Sequence, residues 1–157
     1  QLAPKSGATN NNYGTFLCAE GNYAEADKYF ERALTVPFYE TPAVAWANRG
    51  SCALKAGQAE LAEQYLRTAV QKDPNSAQAL YELAGILADR KDYFRARAFA
   101  QRYEALAGDS PESLALGMRI ELGLGDAAAV KEYRSRLVNG FPDSAQAQAL
   151  ETSEPPR

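Results

Sequence analysis

Small and aromatic residues alternate with polar ones in a pattern that repeats along the chain. Tyr29, Tyr65, Phe99 and Tyr133 lie 36, 34 and 34 residues apart. Three residues before each aromatic stands Ala26, Ala62, Ala96 or Val130, and four after it Ala33, Ala69, Tyr103 or Leu137. Fifteen residues before each aromatic come Gly14, Gly50, Ala84 and Met118, the small positions of a preceding helix. Gly21, Gly57 and Gly125 mark the turn between two helices, with Lys91 at the remaining equivalent. Ser6, Ser76, Ser110 and Ser144 open successive units, where a hydroxyl accepts the orphan N–H groups of a helix start. Thr41 and Pro42 are expected to do the same for the second unit, since proline suits the first helical position.

Helix–turn–helix signals at a period of 34 residues fit a tetratricopeptide array better than the ankyrin or HEAT classes. The predicted fold is all-α, a right-handed superhelical solenoid whose hairpins stack to bury a shared core. It is read as one domain over 1–151, with repeats at about 7–42, 43–76, 77–110 and 111–144 and a capping helix at about 144–151. Residues 1–6 resemble the tail of a completed repeat, which implies further repeats upstream, and 152–157 read as a disordered polar tail. The longer first interval falls at Pro37–Pro42 and predicts a widened turn.

A net charge of −3 argues against nucleic acid as a partner, because counterion release needs a basic surface. The basic cluster Arg90, Lys91, Arg95, Arg97 and Arg102 is read as a solvated face with local ion pairs. No apolar run approaches the length of a membrane span. Histidine is absent, which removes the commonest general base and metal ligand; no enzyme activity, cofactor or metal is expected.

Asn12 and Asn48 share a column on the first helices of adjacent units, and an amide ladder there can either grip an extended backbone or fix the stacking. By column, Asn11, Asn12, Thr15, Ala47, Asn48, Ser51, Lys55, Tyr81, Gly85 and Arg119 are the candidates for an inner, partner-binding wall. A clamp for terminal carboxylates would want basic groups in the third unit, where Gln78 and Glu82 stand instead, and Glu82 would repel that ligand. Tyr13, Phe16, Phe30, Trp46 and Leu66 fit core columns. Phe38 and Tyr39 read either as a partner patch or as aromatics folded back on a helix.

The wording Asn11-Asn12-Tyr13-Gly14-Thr15-Phe16-Leu17-Cys18, Pro37-Phe38-Tyr39 with Pro42, and Asn48-Arg49-Gly50-Ser51-Cys52 goes beyond what the repeat requires. Together with Ser113-Leu114-Ala115-Leu116-Gly117, it resembles the PilF/PilW family of type IV pilus biogenesis proteins. The resemblance implies a non-enzymatic pilotin on the periplasmic face of the bacterial outer membrane. Such a protein helps the pilus secretin, or another pilus-assembly protein, to assemble or persist. It would meet the membrane through an N-terminal lipid anchor that this sequence lacks, so neither Cys18 nor Cys52 is the lipid-bearing cysteine. The alternative is a general peptide-binding adaptor or co-chaperone. An oxidising periplasm would permit a Cys18–Cys52 bridge between units, and two buried thiols filling core space are the other reading.

Overall fold

The computed structural model describes residues 6–153. Over these the chain forms α1 (Gly7–Ala19), α2 (Tyr23–Thr35), α3 (Pro42–Lys55), α4 (Ala59–Lys72), α5 (Ala77–Asp89), α6 (Tyr93–Ala107), α7 (Pro111–Leu124), α8 (Ala127–Gly140) and α9 (Ala145–Thr152), with no strand among the described residues. The fold is an all-α tetratricopeptide solenoid. The helices fall into two compact units, Gln1–Leu83 and Ala84–Arg157, whose boundary lies inside α5. Most of the expected N-terminal repeat tail and most of the polar C-terminal tail lie outside the described residues. Thr152, assigned to that tail, is the last residue of α9.

Local chemistry sets the helix ends. The Ser6 hydroxyl accepts from the Thr9 N–H at 3.2 Å, Ser144 caps α9, and Ser110 with Ser113 forms a capping box at α7. Thr41 departs from expectation: its side chain makes no capping bond, and α3 starts on Pro42, whose ring already fixes the helical φ. Gly21, Gly57 and Gly125 close their turns at φ of 75–80°, and Lys91 takes the same left-handed conformation at 62°. A side chain there costs about 1 kcal/mol.

In the first unit, α1 packs on α2 and α3 on α4 through glycine-lined seams. A Cβ on Gly14 would lie 2.9 Å from the Phe30 ring, and one on Gly50 would lie 2.6 Å from Leu66 Cγ. Phe30 and Leu66 are fully buried, as are Ala26, Ala33, Ala62 and Ala69. Because Phe30 fills the seam, Tyr13 turns to an edge contact with Tyr29 at 4.6 Å. Phe16 stacks on Tyr13 outside the seam and is 56% exposed, so neither is a core residue as the columns had suggested. In the widened turn Tyr39 covers Gly7 at the start of α1, whereas Phe38 is fully exposed at φ 60°.

In the second unit, the small residue beneath the ring of Tyr133 is Gly117 rather than Met118. Met118 instead packs from the side on the cluster of Leu114, Tyr133, Leu137 and Ala147, where α9 covers α7 and α8. Of the basic cluster, Arg95 pairs with Asp92 in the same turn. Arg97 reaches across to the buried carboxylate of Glu121 and ties α6 to α7 while its side chain stays 31% exposed.

Candidate functional site

The first helices of the first unit, α1, α3 and the start of α5, present a line of polar side chains. Asn48 Nδ2 donates to Asn11 Oδ1 at 3.1 Å, and Gln78 Nε2 donates to Asn48 Oδ1 at 3.4 Å. Gln78 Nε2 also donates to Ser51 Oγ at 2.6 Å, and that hydroxyl donates in turn to the Glu82 carboxylate, 2.6 and 2.7 Å from its two oxygens. An amide ladder therefore exists, but its rungs are shifted. Asn48 meets residues 37 earlier and 30 later in the chain, because the stagger of successive helices, not the repeat length, decides which amides touch.

Beneath this line lies a cleft of about 230 Å³ lined by Thr15, Cys18, Phe30, Asn48, Ser51, Cys52, Lys55, Gln78 and Glu82. Its back wall is the Cys18–Cys52 disulfide, which joins α1 to α3 with 5.8 Å between Cα atoms and packs on Ala26 and Phe30. Burial pushes the Glu82 carboxyl above the usual carboxylate range, against the opposing pull of the Ser51 hydrogen bond, the Lys55 charge and the Gln78 hydrogen bond.

Of the residues expected on the inner wall, Asn11, Thr15, Asn48, Ser51 and Lys55 come together along this line and cleft. Asn12 is exposed and takes no part in the ladder. Ala47 is only 1% exposed and offers a partner no surface. Tyr81 is half-buried and does not line the cleft, and Gly85 belongs to the second unit. Arg119 is also in the second unit, where it donates to Asp89 at 2.9 Å. Gln78 and Glu82, which sequence reasoning weighed only as obstacles to a carboxylate clamp, are cleft residues in their own right. Glu82 shares the Asn12–Asn48 column, so its place was readable from the spacing.

A second concavity of about 770 Å³ opens among the helix turns of the first unit, lined by Asn22, Tyr23, Glu25, Asp27, Lys28, Arg49, Gln58 and Leu61 with neighbouring small residues. There Arg49, almost fully buried, holds Asp27 with two hydrogen bonds of 2.6 and 2.9 Å and lies 4.3 Å from the centre of the Tyr65 ring.

The tetratricopeptide repeat family matches residues 6–73 and again 48–111. The crystal structure of PilW, described as a widely conserved type IV pilus biogenesis factor, superposes with a TM-score of 0.84 at 36% identity, over 96% of this chain and 69% of that one. The chain belongs to the PilF/PilW family. Among curated relatives, the type IV pilus assembly protein PilF of Pseudomonas aeruginosa is 24% identical over 144 residues, covering 92% of this chain. An uncharacterized protein of Haemophilus influenzae is 34% identical over 82 residues, 52% of this chain. The chain spans 57% and 46% of the lengths of these two relatives. As in other PilF/PilW proteins, the architecture is a tetratricopeptide scaffold of the kind that binds proteins.

Proposed function

We propose that this chain is the protein-binding part of a non-enzymatic pilotin, which holds the outer-membrane secretin of a type IV pilus while the secretin assembles or persists as a multimer. The observation that carries this reading is the 36% identity to the PilW biogenesis factor over nearly the whole chain. The cleft supports it as a place of contact, since it gathers hydrogen-bonding amides, two hydroxyls and single charges.

The mechanism is mass action. A scaffold that binds a secretin segment lowers the concentration of free, aggregation-prone subunits, and the stabilisation grows as the logarithm of partner concentration over Kd. No turnover is involved. The place of action is the periplasmic face of the outer membrane, reached through an N-terminal lipid rather than through any helix described above. The contact surface is the inner line of Thr15, Asn48, Ser51 and Lys55, with the buried Asn11 holding the Asn48 amide in place. A carboxylate-clamp adaptor fits less well, because Glu82 stands where such a clamp needs a cation.

The test is capture of the secretin by this chain, together with the amount of secretin multimer in cells lacking the gene. Retention of secretin on the chain and loss of multimers on deletion are the expected results. Equal retention of unrelated C-terminal peptides, with multimers unchanged, would transfer the protein to the adaptor class.

A further inference from the structure

We infer that the cleft floored by Glu82 is a subsite for a cationic side chain, a lysine or arginine projecting from the bound partner segment. This deepens the reading of the chain as a protein-binding scaffold and rests on it.

The argument starts from how carboxylates are satisfied elsewhere in the molecule. Asp27 takes both of its hydrogen bonds from Arg49, the buried Glu121 takes its own from Arg97, and Asp109 is held by Arg136. In each case a guanidinium reaches across from another helix, and at Glu121 it compensates a desolvated charge. Glu82 lacks this partner: among the described residues no lysine or arginine lies within 4.0 Å of its carboxylate. A serine hydroxyl has one proton to give, so the contacts of 2.6 and 2.7 Å from Ser51 amount to one donor shared between two oxygens, and Gln78 adds only a neutral hydrogen bond. Lys55 lines the same cleft and attracts Glu82 electrostatically without pairing with it.

A half-buried carboxylate with unused lone pairs, facing a cleft, has its desolvation cost offset when a cation enters. The volume of about 230 Å³ falls below that of pockets for drug-sized ligands and suits one side chain. An alkyl stem would meet the disulfide and the methylenes of Lys55, while Thr15 and Asn48 supply polar groups. Lysine and arginine both carry such a stem behind their charge.

The experiment titrates the isotope-labelled chain with N-acetyl-lysine amide and follows the side-chain amide resonances of Asn48 and Gln78. N-acetyl-norleucine amide, with a similar stem and no charge, is the control. The lysine compound should bind about tenfold or more tightly than the control, as a charged hydrogen bond requires. Glu82→Gln should reduce that ratio to near one. Where that variant does not fold, Glu82→Met is read in its place. Equal affinity for the two compounds on the native chain, or selectivity that survives loss of the Glu82 charge, overturns the inference. Lysine selectivity without secretin capture would sustain the subsite and remove the partner; secretin capture without selectivity would refute the subsite and leave the scaffold reading standing.

Discussion

Gly50→Ala tests the claim that a glycine-lined seam, rather than helix propensity, sets this residue. Alanine is about 1 kcal/mol better than glycine in a helix interior, so propensity alone makes the variant more stable. The seam opposes this. A methyl at Gly50 would lie 2.6 Å from Leu66 Cγ and 2.7 Å from Cδ2, with the Ala62 carbonyl oxygen at 3.3 Å. Leu66 is fully buried and has nowhere to move, so overpacking costs about 2–3 kcal/mol and the net loss is about 1–2 kcal/mol. Leu66→Ala alone should cost about 2–5 kcal/mol as a cavity. In that background the added methyl enters vacated space, and Gly50→Ala should become stabilising by up to about 1 kcal/mol. The single tryptophan, Trp46, sits on α3 at 5.6 Å from the Tyr65 ring, so its fluorescence in a urea titration reports the first unit specifically. Additive effects in the double variant, or a stabilising Gly50→Ala in the native background, would refute the reasoning.

Replacing Cys18 and Cys52 by serine releases a loop with a sequence separation of 34 and should cost about 3–4 kcal/mol on the loop-entropy model, read by the same fluorescence titration. Thiol counting on the denatured, non-reduced native chain should find no reactive thiol. Asp27→Asn leaves Arg49 buried without its carboxylate; because the Asp27 side chain is 42% exposed, the loss should be about 1–3 kcal/mol, and it should shrink toward zero in an Arg49→Met background. Glu82 gives a pH signature of known sign. Burial raises its folded pKa, so folding favours the protonated acid: its stabilising contribution is present below the unfolded carboxyl pKa and is lost as pH rises through the folded one. Glu82→Gln should therefore be more stable than the native chain at pH 7, with the gap closing toward pH 4; a gap that widens on acidification would contradict the assignment.

The fold was legible because its determinants are local and periodic. Glycines at Gly21, Gly57 and Gly125 need left-handed backbone, serines at Ser6, Ser110 and Ser144 cap helices, and alanines at Ala26, Ala62 and Ala96 must be small to admit a neighbouring helix. What the columns did not carry is the offset between helices. One residue of slip moved the seam glycine of the fourth hairpin from Met118 to Gly117 and put Asn11, not Asn12, against Asn48. The candidate wall was half legible for the same reason: column assignment found Asn48, Ser51 and Lys55, and it also admitted Ala47, whose side chain faces the core. Phe16 was misread because its apolar character says nothing about which side of α1 the Phe30 ring occupies.

Two of the long-range ion pairs do the same job with opposite charge. Asp27 and Arg97 each stand two residues before their repeat's aromatic, on the second helix of a hairpin, and each reaches the first helix of the next hairpin. Asp27 finds Arg49 there and Arg97 finds Glu121. Repeats built on one apolar pattern are prone to stack in the wrong order, since every seam offers a similar surface. Inverting the polarity opposes that error: a hairpin carrying Asp27 brought against α7 would face Glu121, and one carrying Arg97 brought against α3 would face Arg49, like charges in a desolvated site. Correct order matters for the proposed contact site because the cleft exists only where α1, α3 and the start of α5 lie side by side. The Asp27–Arg49 pair, the Asn11–Asn48 bond and the Cys18–Cys52 disulfide all join the first hairpin to α3. An ionic, an amide and a covalent tie thus act at one interface, and that interface holds together the α1 and α3 sides of the cleft.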